Sequence, residues 1–217
     1  TEITYSSNVA EWITSGDFVG GGTSVVKIGF IHPEQQVLTQ TISLEKGWNI
    51  ISSNVIPEAL AMDTVQQLLV ESGDLVKVQD EVGNTFEKWN TVAGWVNNIG
   101  DLQKTEGYKI RVKSACVLEI TGQPVSLPLN IYLRKGSNLI SFPYSGTVDA
   151  MQVIQPLIDA GILDKIQDER GNSIEYWGSS IGWINEIGNF NPGEGYLVRV
   201  TNNGVLPILA AYEKSGS

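Results

Sequence analysis

Histidine and cysteine are nearly missing from this chain, with one of each in 217 residues. A lone cysteine, Cys116, excludes an intramolecular disulfide and any Cys-x-x-Cys metal or redox motif. The lone histidine, His32, stands before Pro33, where helix is disfavoured, and reads as a loop histidine with no nucleophile nearby. No His-Glu-x-x-His, Gly-x-Ser-x-Gly or phosphate-binding Gly-rich loop ending in Lys-Ser or Lys-Thr occurs, so zinc sites and nucleophilic triads find no support. Basic residues are scarce too: 14 Lys and Arg against 24 Asp and Glu give a net charge of −10. Nucleic acid and anionic membranes are held mainly by Lys and Arg, so neither is an expected partner. No apolar run approaches the ~20 residues needed to cross a bilayer.

What is present occurs twice. Gln79-Asp80-Glu81-Val82-Gly83-Asn84 is followed by Trp89 and Gly94-Trp95. Gln167-Asp168-Glu169-Arg170-Gly171-Asn172 is followed by Trp177 and Gly182-Trp183 at the same distances. Residues 75–112 laid over 163–200 are identical at 19 of 38 positions, among them all four tryptophans and Glu-Gly-Tyr at 106–108 and 194–196. Each copy has the chemistry of a β-hairpin with a short loop, because Asp opens a type I turn and Gly takes the left-handed residue that closes it. Gly83 and Gly171 are therefore expected at positive φ. The register puts Lys77 opposite Glu87, Val78 opposite Phe86 and Leu75 opposite Trp89. In the second copy it puts Lys165 opposite Glu175, Ile166 opposite Ile174 and Leu163 opposite Trp177.

Read in order, residues 1–37 match neither copy and form an N-terminal segment, possible end of a preceding module, with a strand expected at 24–31. Repeat unit 1 spans 38–125, and repeat unit 2 spans 126–217 with a C-terminal tail. Each opens with two short strands around a turn, Glu45-Lys46-Gly47 or Arg134-Lys135-Gly136. A helix follows in each. In unit 1, Asp63 is the expected N-cap and Gly73 the stop. In unit 2, Pro156 is expected to kink or split the helix, since proline inside a helix costs ~3 kcal/mol or more. Tyr108, Ile110 and Val112, like Tyr196, Val198 and Val200, alternate as a strand with one buried face. The expected class is α+β, predominantly β: two tandem similar units, each with one short helix and a β-hairpin, joined by the short 122–128 segment.

The order Gly47-Trp48-Asn49-Ile50-Ile51-Ser52, then Asp-x-x-Gly-Asn, then Glu106-Gly107-Tyr108 resembles a tandem repeat of secreted and cell-surface proteins of Bacteroidota-type bacteria, over about residues 38–210. The resemblance implies a non-catalytic accessory module of a larger extracellular or cell-surface protein, found near adhesion or glycan-active domains. The partners it implies are other domains or subunits of a surface assembly. Ser137 stands where the second copy's opening motif would have tryptophan.

A glycosidase needs only two carboxylates, and Glu87, Glu106, Glu175 and Glu194 are candidates. Glu87 and Glu175 face lysines, however, and no catalytic residue is assigned. Asp80-Glu81 and Asp168-Glu169 supply too few oxygens for Ca²⁺, which takes about 6–8, so no metal or cofactor is expected. Six tryptophans raise a second function, glycan binding through exposed aromatic faces. Trp89 and Trp177 are expected in the core because they share a face with Leu75 and Leu163. The candidate ligand-binding residues are then Trp48 and Trp12, followed by Trp95 and Trp183, with a groove between the copies as the natural place for polysaccharide. A third reading, a virion surface protein, rests on phage coats reusing extracellular-type β modules.

Overall fold

Leu38–Leu44 (β3), Gly47–Ile51 (β4), Val55–Ile56 (β5), two helical turns at Met62–Val65 (α1) and Gln67–Glu71 (α2), then Leu75–Gln79 (β6), Thr85–Asn90 (β7), Gly94–Asn97 (β8), Tyr108–Val112 (β9) and Cys116–Pro124 (β10) make up the first copy. The computed structural model describes residues 36–212, and before them only the antiparallel pair Ser6–Ser7 (β1) and Ala10–Glu11 (β2). Trp12, His32 and the strand expected at 24–31 lie outside the described residues. The chain divides into a unit Thr1–Gln36 and a unit Val37–Ser217. The second unit contains both copies of the repeat.

The second copy repeats the plan. It has Leu129–Leu133 (β11), Gly136–Ser141 (β12), Val148–Asp149 (β13), Ala150–Asp159 (α3), Leu163–Gln167 (β14), Ser173–Tyr176 (β15), Trp183–Asn185 (β16), Asn189–Phe190 (β17), Gly195–Val200 (β18) and Gly204–Ile208 (β19). Each copy has one five-stranded antiparallel sheet, ordered β4-β9-β6-β7-β8 in the first and β12-β18-β14-β15-β16 in the second. A second, smaller layer pairs β3 with β10, or β11 with β19. The chain is an α+β protein, predominantly β.

Alternation along β9 and β18 explains the layering, since Tyr108, Ile110 and Val112, and Tyr196, Val198 and Val200, are buried on one face. In the second copy these meet Ile131 and Leu133 of β11, Leu206 and Ile208 of β19, and Val153, Ile154 and Leu157 of α3. A separate core of the same make-up fills the first copy. Burying one such aliphatic side chain stabilises by about 1.5–3 kcal/mol.

The hairpin expectations hold for the turn and its first pairs. Asp80 Oδ1 accepts from the N–H groups of Val82 and Asn84 at 3.0 and 2.8 Å, and Asp168 does the same for Arg170 and Asn172. Gly83 and Gly171 have φ of 96° and 92°. Lys77 lies opposite Glu87, Val78 opposite Phe86, Lys165 opposite Glu175 and Ile166 opposite Ile174. The pairing stops there, and this corrects the placement of two tryptophans. Leu75 and Leu163 pair with Val112 and Val200 on the other side, across a register shift, so neither faces a tryptophan. Strand β7 shifts register against β8 at Trp89, and β15 ends before Trp177. Trp89 and Trp177 are consequently not core residues; each is 60% exposed.

The helices also depart from expectation. Asp63 is not the N-cap: Ala61 holds that position with no side-chain cap, and Asp63 lies within the first turn. The break falls in the first copy, at Gln66, whereas α3 runs unbroken through Pro156. Asp149 caps α3 by accepting from Met151 N–H at 2.8 Å, and Ala150, Val153, Ile154 and Leu157 form a continuous buried stripe. Capping and burial outweigh the one hydrogen bond that proline removes. The 122–128 segment is shorter as a connection than expected, because Gly122, Gln123 and Pro124 still belong to β10.

Candidate functional site

The opening motif of each copy builds the edge of its sheet. Gly47 and Gly136, at φ of 105° and 106°, turn the chain into β4 and β12. Two residues on, Asn49 clamps that turn, its Oδ1 accepting from Glu45 N–H at 2.8 Å and its amide donating to Glu45 carbonyl at 2.9 Å. Asn138 makes the same pair of bonds to Arg134. The following Ile-Ser reaches the other copy.

That reach is reciprocal. Ile51 bridges Glu194, and Ile140 bridges Glu106. Ser52 hydroxyl donates to Glu194 carbonyl at 2.7 Å, while Ser141 hydroxyl donates to Lys104 carbonyl at 2.6 Å. A Cβ on Gly107 would lie 2.6 Å from Ile140 carbonyl oxygen, and one on Gly195 would lie 2.8 Å from Ile51 carbonyl oxygen. The repeated Glu-Gly-Tyr thus has a cause in each residue. Glycine admits the other copy's backbone. The tyrosine is buried, its hydroxyl accepting from Gln103 or Asn191 N–H at 2.8 or 2.9 Å and donating to the Oε2 of Glu106 or Glu194. Burial pushes both phenols far above their ordinary pKa, and also raises the Glu106 carboxyl against the opposing effect of the Tyr108 bond.

Two clefts flank this seam, each formed by a hairpin loop of one copy against the edge strand of the other. In the first, of about 260 Å³, loop 80–82 lies on Asn138, Leu139 and Ile140. Glu81 Oε2 accepts from Leu139 N–H there at 2.9 Å. In the second, of about 410 Å³, loop 167–171 lies near Trp48, Asn49 and Ile50, with Gln79, Lys109 and Leu197 completing the lining. Glu169 is the counterpart of Glu81, yet its Oε2 is buried and makes no hydrogen bond. Its Oε1 lies 3.8 Å from Arg170 Nε. Burial is the main cause of the raised pKa of Glu169; the carboxylate's interaction with its own backbone N–H opposes the shift, and the nearby Glu194 and Asp168 charges add to it.

Of the aromatic candidates among the described residues, Trp48 alone lines either of these two clefts. It is 45% exposed, and its cross-strand neighbour Arg111 places its guanidinium 5.9 Å from the ring centroid. Trp95 is half-buried on Phe86, ring centroids 5.1 Å apart, and Trp183 is half-buried beside Tyr176 at 5.6 Å. The carboxylates Glu87 and Glu175 hold Lys77 and Lys165 at 3.6 and 2.5 Å. Among the described residues, no group of three or more His, Cys, Asp or Glu could hold a metal ion. No helix among them is long and apolar enough to cross a membrane.

In the sequence Glu81 and Glu169 are candidates only as oxygens for Ca²⁺, not as residues of a ligand-binding cleft. A signal existed: both follow the turn aspartate in a repeated motif, and turn chemistry requires the aspartate and the glycine but not the glutamate. No protein-family model, curated protein or solved structure matches the chain.

Proposed function

We propose that residues 37–217 act as a non-catalytic structural or adhesion module of an extracellular or cell-surface protein, a spacer or interaction unit in a surface assembly. The observation that supports this reading is the reciprocal seam. The motif glycines, asparagines, serines and tyrosines that recur in both copies are engaged in turns or in inter-copy contacts, and the result is a preset block. A rigid spacer needs that property. The extracellular location follows from the resemblance of the motif order to bacterial surface repeats. Protease shaving and antibody labelling of intact producing cells test it. Labelling before permeabilisation is the expected result, and labelling only after permeabilisation would refute the location.

A specific observation favours glycan binding as a second reading. Trp48 is the one residue of its opening motif that the fold does not require, because Ser137 occupies the same place in an equally well-built second copy. An exposed indole in a cleft offers a flat face for the C–H side of a sugar ring. Tryptophan-fluorescence titration with neutral polysaccharides tests this reading.

A further inference from the structure

We infer that the cleft between loop 167–171 and edge strand β4 is a subsite for one neutral pyranose ring, with Trp48 as the stacking surface and Glu169 as the acceptor for a sugar hydroxyl. The inference rests on the glycan-binding reading and assigns it a place, a second residue and an asymmetry.

The argument comes from comparing the two clefts. Both present a glutamate at the tip of a hairpin loop to the other copy's edge strand. In the first cleft the protein itself satisfies that glutamate through Leu139 N–H. In the second, Glu169 Oε2 is buried without a partner. An unmade buried acceptor is unfavourable, so a donor that draws Oε2 to the cleft wall, where Glu169 keeps 18% of its side chain exposed, gains more here than at an already solvated carboxylate. The second cleft is also the larger, at about 410 Å³ against about 260 Å³, and only the larger falls within the ~300–1,000 Å³ typical of ligand pockets. It is the cleft with the indole, whereas serine replaces it in the other copy.

The remaining lining fits a polyhydroxylated ring, with Lys109 the one cation beside the two carboxylates of Asp168 and Glu169. Gln79 offers an amide carbonyl and an NH₂, and Gln167 a carbonyl and one N–H, its nitrogen already donating to Gly171 carbonyl at 3.3 Å; both suit hydroxyls that donate and accept in turn. Asp168 is already engaged with its own loop, so Glu169 is the carboxylate left to accept. A polyanion would meet that carboxylate unfavourably, and the net charge of −10 adds to the repulsion. A peptide strand lying along β4 is disfavoured because Ile51 at its end is already bridged to Glu194.

The test uses the full chain with cellohexaose, xylohexaose and mannohexaose as probes, followed by calorimetry and tryptophan fluorescence at up to millimolar sugar. At least one probe is expected to bind. Trp48→Ala and Glu169→Ala should each weaken that binding about tenfold or more, which corresponds to ~1.4 kcal/mol. Glu169→Gln, which retains an acceptor oxygen, should recover part of the loss. Trp89→Ala with Trp177→Ala should leave binding unchanged. Binding that survives Trp48→Ala and Glu169→Ala but disappears with the Trp89 and Trp177 changes would overturn this site while leaving the glycan reading intact. If none of the three probes binds, both fail. Thermal melting of Trp48→Ala guards against unfolding, since Ser137 shows that a small residue is compatible with this strand position.

Discussion

The first copy has no proline in its helix and breaks it; the second has Pro156 and does not. Aligned at the repeat, Ala61 matches Asp149 and Gln66 matches Ile154. The second copy therefore has a capping carboxylate and an uninterrupted apolar stripe. The first has neither, and Gln66 is fully buried with its Oε1 unpaired and its amide offered only to Met62 Sδ at 3.8 Å. Intrinsic propensity is thus the weaker influence. A helix this short depends on its cap and on what its buried face meets.

The strongest way to break the contrast is to move the first copy's defect into the second. Ile154→Gln removes a fully buried aliphatic group and adds an amide with no partner in an apolar core. It should destabilise by about 3 kcal/mol or more. Chemical denaturation would show this as a lower midpoint with unchanged slope. A cost below about 1 kcal/mol would mean that the Gln66 site is less hostile than its burial implies.

Next in size is the seam. Gly107→Val places side-chain atoms where Ile140 carbonyl lies 2.6 Å from the Cβ, and should cost about 1–3 kcal/mol through overpacking. Gly195→Val should cost a similar amount at Ile51. Both should loosen the two copies from each other, seen as increased hydrogen exchange at Ser52 and Ser141 in either variant. Loss of protection confined to the mutated copy would contradict the reciprocal arrangement.

The reverse exchange should stabilise. Gln66→Ile gives the first copy the residue that the second uses, and Ala61→Asp gives it the cap. Gains on the order of 1 kcal/mol from each are expected in thermal melting, from relief of an unpaired amide and from a satisfied N-terminal N–H. A lower melting temperature in the double variant would show that the break at Gln66 serves the first copy's packing.

The turn and the opening motif were legible in the sequence because each encodes its own geometry. Asp80 binds its loop, Gly83 takes the left-handed position, and Lys77 finds Glu87 three residues out from Asp80 and Asn84. The seam was not legible. Ser52 and Glu194 are distant in sequence, and only the folded edge strands bring Gly107 and Gly195 against the other copy's backbone. Trp89 and Trp177 were misplaced for a related reason: side-chain alternation assumes unbroken pairing, and a register shift at Trp89 ends it. Of the candidate site, Trp48 could be read from its lack of a counterpart, but the unpaired Oε2 of Glu169 in the same cleft could not.

The smallest expected effects concern the two loop glutamates and pH. The folded-state pKa of Glu169 is raised above its ordinary 4.5, mainly by burial, so the folded protein holds that proton more tightly than the unfolded chain does. Stability contributed by this group is therefore present at low pH and is lost as pH rises from about 4.5 through the raised value. Glu169→Gln removes the titration, so its stability relative to the parent chain should improve as pH rises through that window. Glu106, also raised by burial, contributes a slope of the same sign, and Glu106→Gln isolates its share. If Glu169 accepts a sugar hydroxyl, saturating sugar should reduce the pH dependence of the parent chain and leave that of Glu169→Gln unchanged. An equal response in both would place the sugar elsewhere, even if Trp48 proved necessary for binding.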